Sequence, residues 1–124
     1  MAAIQIKRAY DKAEAGDGHR FLVDGLWPRG IAKAALKLDG WAKDVAPSGE
    51  LRNWFHHDPA RWDEFRQRYF AELDANPDAW KPLVEEAQKG TLTLVYSAHD
   101  EEHNNAVALA GYLKAHLKAS SRSH

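Results

Sequence analysis

The stretch His19–Gly30, HRFLVDGLWPRG, constrains the fold of this chain more than any other. Phe21, Leu22 and Val23 form an apolar, β-prone run that continues to Leu26-Trp27 and then meets Pro28. A proline disfavours the helical region at the residue before it, so Trp27 is held extended. Gly30 then lets the backbone turn sharply. The stretch reads as a buried strand over Arg20–Trp27 that stops abruptly, with Asp24 near its end and Arg29 presented just beyond.

The rest of the chain is organised around that strand. Ile4–Arg8 alternates apolar and polar residues, the pattern of a short strand with one buried face. Gly16-Asp17-Gly18 is a turn signal. Ile31–Leu36 has room for a short helical turn, and Leu36–Val45 reads as extended up to Pro47. Ser48 is a helix N-cap with Glu50 in the first turn, and Leu51, Trp54 and Phe55 make one apolar face. Asp58-Pro59 starts a second helix, on which Trp62, Phe65, Tyr69 and Leu73 recur at spacings of three and four. Asn76-Pro77 starts a third, carrying Trp80, Leu83, Val84 and Ala87, which Pro82 is expected to kink or delay and Gly90 to end. Thr91–Tyr96, TLTLVY, is the clearest strand of the chain. A long last helix is expected to begin near Asp100 or Glu101, with Val107, Ala110, Leu113 and Leu117 as its stripe.

Strands at both ends with helices between and after predict an α/β fold. The expectation is a single compact layered domain over residues 1–119, with a small, mostly parallel central sheet and flanking helices, and a frayed tail at residues 120–124. Antiparallel pairing of the first two strands is the alternative, since the short link Ala9–His19 permits either. At 124 residues one domain is expected. Seventeen basic and eighteen acidic side chains give a net charge of −1, which provides no general attraction to nucleic acid or anionic membrane. Arg61, Arg66 and Arg68 are interleaved with Asp63, Glu64 and Glu72, the mark of a solvated face. The absence of cysteine excludes disulfides, thiolate metal sites and cysteine nucleophiles. With no apolar run of signal-peptide or membrane-span length, a cytoplasmic protein is expected.

In open α/β sheets ligands gather beyond the carboxyl ends of the strands. That rule brings together Arg8 and Tyr10, then Asp24, Trp27 and Arg29, then Tyr96, Ser97, His99, Asp100 and His103. Arginine binds carboxylate or phosphate through two parallel hydrogen bonds, so such a rim suits a small anionic molecule. The simpler expectation for Arg29 is a salt bridge to Asp24 or Asp100. His99, Asp100 and His103 are alternatively the ligands of a divalent metal, and a last helix starting before His99 sets His99 and His103 one turn apart on one face, as paired metal ligands are. His103 otherwise falls on the apolar stripe, in a structural role. His99 or His103 as a general base oriented by Asp100 is a third reading, without an activated-serine motif beside Ser97 to support it. His56-His57-Asp58 has metal-ligand composition, but its residues point in different directions and serve helix termini instead.

IQIKRAYD, VDGLWPRG, WAKDVAPSGELRNWFHHDPARWDEFRQRY and TLTLVYSAHDEEHNNAVALAGYL resemble, in order, the YeaO-like proteins, domain of unknown function 488. The resemblance runs from Ile4 to Leu113. It implies a compact single-domain bacterial or archaeal α/β protein and brings no activity with it. The related pattern carries an arginine where this chain has Gly25, which leaves only Arg29 of a pair. Other branches resemble this one but carry a cysteine at the end of the last strand and a cysteine-histidine-arginine run after it. Here those places hold Tyr96 and Asn104-Asn105-Ala106, so no thiol chemistry transfers.

Three functions are compatible with these residues. The first is a small-molecule site, for binding or catalysis, built by Tyr10, Arg29, Ser97 and His99. The second is a metal site at His99, Asp100 and His103. The third is a protein-interaction module whose tryptophans, Trp41 or Trp80 among them, meet a partner.

Overall fold

The computed structural model describes residues 3–122. Its strands are β1 (Ala3–Arg8), β2 (His19–Leu22), β3 (Gly40–Trp41) and β4 (Thr91–Tyr96), in the sheet order β1-β4-β2-β3. Every neighbouring pair is parallel. The expected α/β architecture is thus present. The antiparallel alternative is not: β4 lies between the first two strands. Five of its six residues are buried, as a parallel strand covered on both faces requires.

Successive side chains of a strand point to opposite faces, and here the two faces differ in depth. Leu92, Leu94 and Tyr96 enter a large core with Ile4 and Val23. The helices α2 (Gly49–Phe55), α3 (Trp62–Asp74), α4 (Pro77–Lys89) and α5 (Asn105–Arg122) close it. Val95 and Leu22 face the other way, into a small cluster with Ala9 and with Leu36 of the four-residue helix α1 (Lys33–Leu36). So thin a layer seals its side of the sheet partly with polar groups. Arg20 donates to Asp17 at 2.6 Å and, through Nε and Nη2, to the carbonyl of Leu36 at 3.1 and 2.9 Å. Thr93 donates to the carbonyl of Asp17 at 2.6 Å.

The helix boundaries follow from local chemistry. Ser48 Oγ accepts from the Leu51 amide and Asp58 from the Ala60 amide, and Pro59 and Pro77 stand at helix starts. Phe65, Tyr69 and Leu73 of the stripe expected on α3 are buried while Trp62 is half-buried, and Trp80, Leu83, Val84 and Ala87 are buried on α4 as spacing predicts. Ser48→Ala removes the cap of α2 and also the bond its hydroxyl donates to Glu72. The expected outcome is a loss of about 1 kcal/mol, read from the urea midpoint.

Four local expectations are corrected. Strand β2 ends its ladder at Leu22 rather than running to Trp27, although the Val23 amide still donates to Val95. Asp24 uses its carboxylate to hold neighbouring groups, and such side chains compete with the strand ladder. The segment 36–45 is not simply extended. Lys37 turns left-handed, two residues form β3, and Lys43–Val45 is a 3₁₀ turn. Pro82 does not delay α4, which starts at Pro77 and runs on through it; Pro82 and Asp78, whose carbonyl it leaves without an amide donor, are both exposed to solvent. Helix α5 starts at Asn105, not near Asp100, because Asp100 Oδ1 takes the amides of Glu102 and His103 in a separate turn. Asn104 Oδ1 then accepts from the Val107 amide as the helix cap. Helix α5 is continuous through Arg122, and the side chains of the tail expected at residues 120–124 lie outside the described residues. Among the described residues no helix is long and apolar enough to cross a membrane.

Candidate functional site

The carboxyl ends of β1, β2 and β4 open into one cavity of about 730 Å³, which the α2–α3 turn also helps to line. Its walls include Arg8 at the end of β1 and Tyr10 after it, Asp24, Trp27 and Arg29 after β2, and Ser97, His99 and Asp100 after β4. Eight of the ten residues singled out in the sequence therefore share this space. Tyr96 and His103 do not line it. Tyr96 is 2% exposed and belongs to the large core. His103 packs edge-on against Trp62 at 5.4 Å and bonds Asp100 Oδ2 at 3.0 Å, the structural role weighed for it above.

Several polar groups of the wall are held by their neighbours. Asp24 Oδ2 accepts from the amide and hydroxyl of Ser97, at 2.9 and 2.8 Å, and Oδ1 accepts from Asn105 at 3.0 Å. Asp24 thus ties the exit of β2 to the end of β4 and the start of α5. Asn104 donates to the Asp100 carbonyl. The amides of Glu102 and then His103 hold the Asp100 carboxyl below the usual carboxylate range. The Ser97 hydroxyl is paired with the Asp24 carboxylate and not with an imidazole.

The arginines behave differently. Arg8 Nε donates to the Ala98 carbonyl at 3.0 Å, and Nη2 meets His99 Nδ1 at 3.5 Å, the outer limit of hydrogen bonding. A guanidinium only donates, so in this contact Nδ1 of His99 is the acceptor. Arg29 is exposed and its backbone carbonyl accepts from Tyr10. The salt bridge expected from Arg29 to Asp24 or Asp100 does not form; both carboxylates have other partners.

Arg52 and His57 also line the cavity, and sequence reasoning did not assign them to it. The Arg52 guanidinium lies along Gly25, with Nη1 3.6 Å from where a β-carbon on that glycine would stand. An arginine from α2 thus lies beside Gly25, the position at which the related pattern carries one. His56 and His57 are both left-handed, at φ 46° and 55°, and this reversal after α2 accompanies the placement of His57 in the wall. One signal in the sequence pointed to Arg52. Arg61, Arg66 and Arg68 each have an acidic residue three or four positions earlier, whereas Arg52 has none at such spacing.

That contrast persists in three dimensions. Arg20, Arg61, Arg66 and Arg68 are ion-paired with Asp17, Asp58, Asp63 and Glu64. Among the described residues, Arg8, Arg29 and Arg52 have no carboxylate partner, and all three line the cavity. The metal expectation fares otherwise. His99 is turned to Arg8 and His103 to Asp100, and no three His, Cys, Asp or Glu among the described residues are grouped to hold an ion.

Comparison with known proteins places these features in context. The chain matches the family described as the inactive DUF488-N3 subclade over residues 3–124. It is 48% identical over 112 residues to the uncharacterized protein YeaO of Escherichia coli, covering 90% of this chain and 97% of that protein. It is 39% identical over 110 residues to the uncharacterized proteins Mb3100c of Mycobacterium bovis and Rv3073c of Mycobacterium tuberculosis, covering 89% of this chain and 92% of each. No solved structure matches it.

Proposed function

The chain belongs to the inactive DUF488-N3 subclade, and from that premise we propose that it binds a small anionic molecule without converting it. One observation carries this reading: the three arginines that lack a carboxylate partner among the described residues all line one cavity. Unpaired guanidinium groups around a concavity favour an anion by charge and by their forked donors. Binding is favoured over catalysis because the Ser97 hydroxyl is held by a carboxylate that also accepts the Ser97 amide, with no imidazole on it, and His103 stands outside the cavity wall. Lack of cysteine supports a reducing, cytoplasmic setting for this binder.

Titration with inorganic phosphate at constant ionic strength, followed by amide NMR, tests the proposal. Saturable shifts are expected at Gly25, Ser97 and Ala98. Arg29→Ala and Arg52→Ala should each weaken binding about tenfold, the value of one charge-assisted hydrogen bond in a partly solvated site. Shifts that never saturate, or variants that bind as the parent does, would overturn it.

A further inference from the structure

The walls of the cavity contain more carbon than charge, and this narrows the ligand. Phe55 and Phe65, 5% and 2% exposed, back it from the core and stack on each other at 4.4 Å with an interplanar angle of 27°. Trp27 adds an indole whose one donor, Nε1, is engaged by the Ile31 carbonyl at 2.7 Å. Its edge contact with Trp41 at 5.6 Å helps fix it in place. Leu26, at the same wall, is 71% exposed, an unusual position for a large aliphatic side chain. Solvent-exposed apolar surface gathered at a concavity marks a place where apolar matter binds.

The neutral polar groups of the wall point to the same conclusion from the other side. The Ser97 hydroxyl donates to Asp24, Asn105 donates to Asp24 and to the Val23 carbonyl, and both ends of Asn104 are hydrogen-bonded. A hydroxyl-rich ligand would find the donors of those groups already engaged, and burying hydroxyls without partners is unfavourable. An anionic group, by contrast, meets Arg29 and Arg52.

We propose that the cavity selects an amphipathic anion: one phosphate or carboxylate head for the guanidinium groups, joined to a flat apolar body poor in hydroxyls. This rests on the anion-binding reading above and adds the chemistry of the body. Phenyl phosphate, glycerol phosphate, inorganic phosphate and phenol form a series that separates the parts. Their affinities are measured by calorimetry on the whole chain at one ionic strength.

Phenyl phosphate is expected to bind on the order of tenfold or more tighter than inorganic phosphate, because burying a ring removes apolar area from water. Glycerol phosphate should bind no better than inorganic phosphate, and phenol far more weakly than phenyl phosphate. Leu26→Ser, at an exposed position, should weaken phenyl phosphate and leave inorganic phosphate unchanged. Arg52→Ala should weaken all three phosphates. If glycerol phosphate matches phenyl phosphate, or if phenyl and inorganic phosphate bind alike, the selectivity is refuted while the anion site stands. Phenol binding as tightly as phenyl phosphate would refute recognition of the charged head. If none of the three phosphates binds, the anion-binding reading itself fails.

Discussion

Arg20→Ala should destabilise the protein by about 3–5 kcal/mol, the cost of breaking a buried ion pair from one side. Arg20 is 4% and Asp17 5% exposed. The substitution leaves Asp17 with Lys7, 3.1 Å away, as its remaining cation. It also strips the Leu36 carbonyl of two donors. The double variant Asp17→Asn with Arg20→Met should be less damaged than Arg20→Ala, because no buried charge is left uncompensated. Urea unfolding of the three proteins at neutral pH measures the order; Arg20→Ala as stable as the parent would contradict it.

The same pair gives an acid dependence with a definite sign. Burial pushes the Asp17 carboxyl up, but the backbone amide of Glu14, the Lys7 ammonium and the Arg20 guanidinium outweigh it and hold the group below the ordinary value of 3.8. A depressed folded pKa means that the folded state releases the proton more readily than the unfolded chain. The stabilisation is therefore present above the unfolded value and is lost as pH falls through the lowered folded value. Asp17→Asn should remove that part of the acid slope, measurable as unfolding free energy followed from pH 5 downward.

Gly18→Ala is expected to cost about 2–5 kcal/mol, from two sources that add. Gly18 has φ +64°, where a side chain is disfavoured by roughly 1–2 kcal/mol. A β-carbon there would also stand 2.3 Å from the Thr91 carbonyl oxygen and 2.8 Å from the Thr91 β-carbon. Those atoms belong to the first residue of the central strand, so relief requires moving the sheet, an overpacking cost of about 1–3 kcal/mol. Gly16→Ala is the internal control. A β-carbon there meets nothing within 4 Å, and the change should be neutral or slightly stabilising. Equal melting temperatures for the two variants would show that the close approach of Gly18 to β4 is absent in solution.

Much of the large core was legible along the chain. The stripes Phe65-Tyr69-Leu73 and Trp80-Leu83-Val84-Ala87 are all buried, as their spacing required. The caps at Ser48 and Asp58 and the strand Thr91–Tyr96 also stand where local signals put them. Asp17 and Arg20 were not legible as a buried pair. A turn aspartate and a strand arginine are ordinarily solvated, and only the thinness of one sheet face places them inside. Asp100 misled in the other direction, since its carboxylate captures two amides before the helix and not at its cap.

The candidate site divides along the same line. That Arg8, Arg29 and His99 share a cavity followed from strand ends meeting on one side of a parallel sheet. Arg52 entered only when α2 was laid against Gly25, and the expected metal set dispersed because His99 and His103 found different neighbours. Backbone preferences, caps and the period of apolar residues act within a turn or a strand, so the amino-acid order by itself determined the elements and their buried faces. Strand order, the unequal depth of the two faces and the partner of each charged group depend on contacts between distant segments. Those are decided by what the packed chain leaves room for, and only the tertiary structure shows them.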